Sequence, residues 1–234
     1  MRRTLKLIGI PVALVVLVVG CTWAYIQFGR DDAPERLTVD SAPGSSVPGS
    51  TGGGTSTLDG DLEGTWKVAA GSQAGYRVKE ILFGQDAEAV GRTEAVTGSF
   101  ELSSSAVTAG SFAVDMATVA SDENRRDNQF RGRIMDVATY PKATFELTDP
   151  IALQSLPVEG AEAKFTAKGT LTLRGTTKPV TLELTAKRTA GRIQAAGSVP
   201  VVFAEWGIPN PSFGPAKTGD RGELEFLLLF EPQP

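Results

Sequence analysis

The 234-residue chain contains no histidine and a single cysteine. Without imidazole there is no Ser-His-Asp triad and no histidine acid–base chemistry, and no transition-metal site built on histidine. Cys21 lies inside an apolar run near the N-terminus, so the rest of the chain has neither disulfides nor thiol chemistry. The net charge is −4 and no basic stripe appears, which argues against nucleic acid as a partner. Carboxylates remain as possible acid and base, and Asp115, Asp122, Glu123 and Asp127 are the candidates. Their spacing is that of helix-capping and solvated charges. The expectation is a protein that is not an enzyme and holds no metal or cofactor.

What is present begins with Arg2, Arg3 and Lys6, followed by an uncharged apolar stretch from Leu7 to Phe28. About 20 such residues span a bilayer core as a helix, with the basic side on the cytoplasmic face. Residues 1–6 are thus expected as a cytoplasmic tail and 7–28 as a single-pass transmembrane signal anchor, which places the remainder outside the cytoplasm at the cell membrane. A cleaved signal peptide and an acylated Cys21 within Val18-Val19-Gly20-Cys21 are the competing readings, but the run stays apolar after Cys21. Residues 29–61 are rich in Pro, Gly, Ser and Thr, with Gly52-Gly53-Gly54 at the centre. Such a composition predicts a flexible linker, spanning roughly 30 Å as a coil of about 30 residues.

Residues 62–231 read differently. From Phe165 to Lys187, Phe165, Ala167, Gly169, Leu171 and Leu173, then Val180, Leu182, Leu184 and Ala186, alternate with Thr, Lys and Glu. Period-two alternation predicts a hairpin with one apolar face, turning at Gly175, with Pro179 at a strand start. Strands are also predicted from Trp66 and Val68 on through Tyr76 and Val78, over Glu88 to Glu101 with Val96, Gly98, Phe100 and Leu102 on one face, and over Val107 to Met116, Ala143 to Leu147, Ile193 to Val202, and Leu224 to Phe230. In the last, Leu227 and Leu229 are apolar as well, so both faces should be covered. One segment changes period: Ser121 is read as the cap of a short helix carrying Phe130, Ile134 and Met135, stopped by Tyr140-Pro141. Long strands joined by short links predict an all-β, eight-stranded antiparallel barrel with one inserted helix.

Four segments, in order, are similar to those of the YceI-like family of lipocalin-like envelope proteins. They are Gly75-Tyr76-Arg77-Val78-Lys79-Glu80, Asn124-Arg125-Arg126-Asp127-Asn128-Gln129-Phe130-Arg131, Val137-Ala138-Thr139-Tyr140-Pro141-Lys142-Ala143-Thr144-Phe145, and Lys168-Gly169-Thr170-Leu171-Thr172-Leu173-Arg174-Gly175-Thr176-Thr177-Lys178-Pro179-Val180. Many members carry histidine where this chain has Asn128. The resemblance implies a barrel whose cavity takes an isoprenoid chain, with the polar head near the mouth.

On that basis the expected lining is Tyr76, Val78, Phe100, Phe112, Phe145, Phe165, Leu171, Leu182 and Phe226, with Trp206 and Phe213 at the mouth. Arg77, Lys79 and Arg131 are the candidates for an anionic head group, since guanidinium and ammonium groups bind phosphate. The expected ligand is an isoprenoid lipid or a quinone, sequestered or transferred at the membrane. The alternative is a protein-interaction module of the envelope whose barrel is filled by its own side chains.

Overall fold

The computed structural model describes residues 33–42, 62–153 and 159–233. The expected anchor at 7–28, and the expected linker apart from 33–42, lie outside them. Among the described residues no helix is long and apolar enough to cross a membrane. Residues 35–234 make a unit of their own, and the description below concerns that unit.

Alternating sequence becomes strand throughout: β1 (Gly64–Val68), β2 (Gln73–Leu82), β3 (Gln85–Thr93), β4 (Val96–Leu102), β5 (Ala106–Asp115), β6 (Lys142–Leu147), β7 (Ile151–Ala152), β8 (Glu162–Leu173), β9 (Thr176–Thr189), β10 (Arg192–Val202), β11 (Ala216–Thr218) and β12 (Arg221–Pro232). Both β1 and β2 pair with β12, with Trp66 opposite Pro232 and Ala74 opposite Phe226, so they are two lengths of one stave. Where that stave is interrupted, the buried Ser72 hydroxyl accepts from Leu229 N at 2.9 Å and donates to Ala69 O at 2.8 Å. A side chain thus replaces the missing strand neighbour, as a buried backbone amide requires. The stretch expected as one strand, Glu88 to Glu101, is two: the ladder breaks at Glu94-Ala95, where Ala95 N donates to Thr93 Oγ1 at 3.0 Å, and β3 and β4 form a second broken stave beside the first. With β5, β6, β8, β9, β10 and β12 these make eight antiparallel staves, closed where β12 meets β1 and β2. Full closure leaves no long unpaired edge.

The expected hairpin is β8 and β9, with Phe165 opposite Leu184 and Ala167 opposite Leu182. Its turn is Arg174-Gly175, with φ of 48° and 72°, the positive values a two-residue hairpin turn of matching twist demands. Pro179 lies within β9 rather than at its start. Paired positions alternate from the turn outward, so at Thr170 and Pro179 the missing N–H points away from β8. On that side β10 pairs with β9 only from Glu183 on, so no ladder bond is lost.

The inserted helix follows β5. It is α1 (Asn124–Gln129), continued by a π turn over Phe130–Ile134. Its cap is Glu123, whose carboxylate accepts from Arg125 N at 3.1 Å, and not Ser121. The Ser121 hydroxyl donates to the buried Asp127 carboxylate at 2.7 Å and accepts from Glu123 N at 3.2 Å, ahead of the first helical turn. The helical turns end at Met135 and Asp136, where φ is 48°, before Tyr140-Pro141 is reached. Tyr140 instead lies over Gly175, where a Cβ would strike its ring.

Part of the stretch expected as linker is docked. Residues 35–42, with a 3₁₀ turn at Val39–Ser41, lie on the outer wall and bury Leu37, Val39 and Ala42 against Ala196, Leu227 and Leu229. Lys187 binds Asp40 at 3.0 Å, Arg36 pairs with Glu223, and the Arg92 guanidinium donates to Glu35 O. This is the second covering that the two-faced apolar pattern of β12 demanded.

Candidate functional site: the barrel interior

The inner wall is built from alternate residues of every stave, and its aromatic rings are seated on glycines. Phe112 stands opposite Gly98, Phe226 opposite Gly197, and Tyr76 opposite Gly91. A Cβ on Gly98 would come within 2.6 Å of the Phe112 ring, and one on Gly197 within 2.8 Å of Phe226. Phe145 lies over Gly169 in the same way. Each ring therefore lies along the wall instead of projecting toward the axis, a cross-strand pairing that offsets the weak packing of a strand glycine.

Two apolar clusters occupy the interior. One gathers around Trp66, stacked on Phe100 at 6.2 Å and 5°, with Phe230 edge-on to Phe100 at 4.8 Å. The ring series continues inward through Phe112, 5.8 Å from Phe230, to Phe145 at 6.5 Å from Phe112. The other cluster lies beneath the insert and joins Phe130, Met135, Val137, Leu173, Phe203, Trp206 and Ile208. Between them, Phe112, Val114, Phe145, Val180, Leu184, Leu224 and Phe226 face inward yet are only partly buried. An inward side chain of a closed barrel meets solvent only through space inside the wall or an open end. The partial exposure of these seven side chains marks the midsection, between the two clusters, as the stretch of the interior where such space can lie. A depression of about 410 Å³ along β8 and β9 opens to solvent; it is lined by Thr148, Lys168, Pro179 and Thr181 and also by Gly169 and Val180 of the inner face.

Of the expected lining, Val78, Leu171 and Leu182 are buried in the insert-side cluster and Phe100 in the Trp66 cluster. Phe226 packs against both, and Phe165 is half-buried on the inner face opposite Leu184. Tyr76 stacks on Phe130 at 5.0 Å. Trp206 is buried within its cluster, with the Lys178 ammonium 5.6 Å from its ring. Phe213 lies outside both clusters and is 39 % exposed, with the Arg125 guanidinium 4.6 Å above its ring. It does not line the bore.

The three head-group candidates are not brought together. Arg77 alternates with the inward Tyr76 and Val78, so it points to the outer wall. There, almost fully buried, it binds Glu88 at 2.6 Å and Glu225 at 3.2 Å. Lys79 shares that outward face and is exposed. Arg131 is engaged with Val119 O at 3.3 Å and Asn128 Oδ1 at 3.2 Å, tying the insert to the preceding loop. Parity along β2 carried this signal: Arg77 and Lys79 cannot share a face with Tyr76 and Val78.

The polar groups at the insert end include Glu80 and Arg126, neither of them among the expected site residues, together with Asp122 and Asp127, expected only as solvated or capping carboxylates. Glu80, inward and buried, faces Arg126 at 3.6 Å, and Arg126 also pairs with Asp122. Asp127 is buried and accepts from Ser121 N at 2.9 Å as well as from its hydroxyl. Burial pushes the Tyr76 phenol up to about 12, with the Arg126 charge acting in the opposite direction and Asp127 adding to the rise. The phenol stays neutral across physiological pH. Among the described residues no group of acidic side chains converges as a metal site.

The sequence model described as the YceI-like domain matches residues 66–230. Among solved structures, a polyisoprenoid binding domain from Saccharophagus degradans, implicated in plant cell wall breakdown, superposes with a TM-score of 0.56 at 14% identity; the match covers 72% of this chain and 98% of that one. Burkholderia cenocepacia BcnA gives 0.52 at 18% identity, over 70% of this chain and 95% of its own. At these identities the likeness is one of fold. Curated proteins yield no match.

Proposed function

Because this chain belongs to the YceI-like domain family, we propose that its barrel holds an isoprenoid-type apolar chain, a polyprenyl lipid or quinone, for sequestration or transfer. The observation that carries this reading is the partly accessible midsection, walled by Phe112, Phe145, Leu184 and Phe226. The structural likeness to a domain described as polyisoprenoid binding supports it. Burial contributes about 25 cal/mol per Å² of apolar surface, so covering about 400 Å² of a lipid chain yields on the order of 10 kcal/mol before association costs. No bond need be made or broken. We place the head group at the insert end, where Tyr76, Glu80 and Arg126 supply polar atoms. The N-terminal apolar run, as a membrane anchor with the barrel on the extracytoplasmic side, would keep that mouth beside the source of such a ligand.

Native mass spectrometry of the gently purified full chain, with and without added polyprenyl lipid, tests the reading. Uptake is expected in wild type. Leu184→Trp projects a larger ring into the midsection that the ligand would occupy and should fold while losing uptake. In a filled core the same substitution costs about 1–3 kcal/mol of overpacking. An empty wild-type barrel that takes up no lipid overturns the proposal.

A further inference from the structure

Among the described residues, the large hydrophobic side chains that remain exposed, Phe83 at 62%, Ile81 at 49% and Phe213 at 39%, stand at the insert end of the barrel. Ile81 and Phe83 lie at the tip of the hairpin between β2 and β3. β11 pairs with β2 there, with Ala216 opposite Leu82, which brings the turn at Phe213 beside that tip. Phe83 is the more telling residue. It occupies a two-residue turn with Gly84 at φ of 54° and 84°. Turns of this kind ordinarily take Asn, Asp or Gly, because a bulky residue is strained at positive φ. Here a phenylalanine bears that strain and gains no burial in return.

Cations surround these rings. Lys79 is on the same outward face of β2, and Lys217 stands opposite Ile81 on β11. Arg125 lies over the Phe213 ring, and Arg133 donates to Asn210 O at 2.9 Å. These four side chains are exposed and form no ion pair among the described residues. Of the acids nearby, Glu88, opposite Lys79, is held by Arg77, Asp220 by Arg221 and Asp122 by Arg126, and Glu123 caps the helix through Arg125 N; Asp86 stands opposite Ile81. We infer that this rim docks on an anionic bilayer surface, with Phe83, Ile81 and Phe213 entering the interface and the four cations at the headgroups. Rings on convex turn tips suit a soft interface that they can enter by a few ångströms, whereas a stable protein partner needs roughly 800 Å² of matched surface a side. The charge sign selects the lipid, and each Lys or Arg near such a surface is worth about fivefold in occupancy. This inference goes beyond the ligand reading and does not depend on it, since it concerns the outside of one rim.

The test is amide hydrogen exchange of the full chain in phosphatidylcholine nanodiscs, with and without phosphatidylglycerol. Docking predicts that residues 79–86 and 211–217 exchange at least several-fold more slowly with the anionic lipid, while the opposite-end turn at 103–105 is unchanged. Phe83→Asn supplies the residue the turn prefers, so it should fold at least as well as wild type and lose most of the protection. Equal exchange in the two lipids, or a Phe83→Asn variant protected like wild type, overturns the inference. Lipid uptake by native mass spectrometry should not change in this variant, which separates the two proposals.

Discussion

The two ends of the barrel are closed by different physics. At one end Trp66, Phe100 and Phe230 belong to strands and interlock as rings, and the Trp66 indole N–H is satisfied by Leu62 O at 3.0 Å. At the other, the cover is an insert of one short helix and a π turn, hung between β5 and β6 and pinned by polar contacts around Asp127 and Arg126. A plug carried by the ladder can leave only if the sheet opens, whereas a plug carried by a loop can lift while the staves stay paired. The asymmetry teaches which end can open without unfolding the protein.

Truncation at the ring end should have the largest effect. Phe230→Ala removes a nearly fully buried ring and is expected to cost about 3–5 kcal/mol, read as a lower denaturation midpoint for the whole barrel. Purely local loosening would break the comparison. At the insert end, Asp127→Ala deletes two hydrogen bonds to a charged acceptor and should cost about 1.5–3 kcal/mol. Here the loss should appear as faster amide exchange over residues 119–137, with exchange in β8 and β9 little changed. A uniform acceleration across the staves would show that the insert is part of the global unit.

The smallest effect is one of pH. The folded phenol of Tyr76 titrates near 12, above its usual value of 10, so the unfolded chain loses that proton first. Its contribution to stability is therefore complete below pH 10 and is lost as pH rises from 10 toward 12. Tyr76→Phe should flatten that part of the melting-temperature profile relative to wild type. Superimposable alkaline limbs would mean the insert does not keep the ring dry.

Much of the wall was legible in the sequence, because an apolar-in, polar-out strand announces its inner face by period alone, as in β8 and β9. Leu227 and Leu229 even showed that a second cover was needed. Its identity was hidden, since Leu37 and Val39 are two apolar residues in a Pro- and Ser-rich stretch whose composition reads as linker. The helix cap was ambiguous because Ser121 and Glu123 are both competent, and the buried Asp127 decides between them. The site was less legible than the fold. Arg77 had the right chemistry for a head group, but its outward position delivers it to Glu88 and Glu225. The ring-on-glycine pairs could not be found at all without register, since Gly98 and Phe112, or Gly197 and Phe226, are joined only by which residue stands opposite which.

The docked segment at 35–42 also decides how the barrel bears load. A pull from the N-terminal side reaches Asp40 and its partner Lys187, and the seat of Val39 on Leu227 and Leu229, before any tension comes to the first stave at Gly64. The closing seam where β12 meets β1 is therefore loaded only after the segment shears away. The eight residues act as a mechanical fuse, spent before the wall is torn.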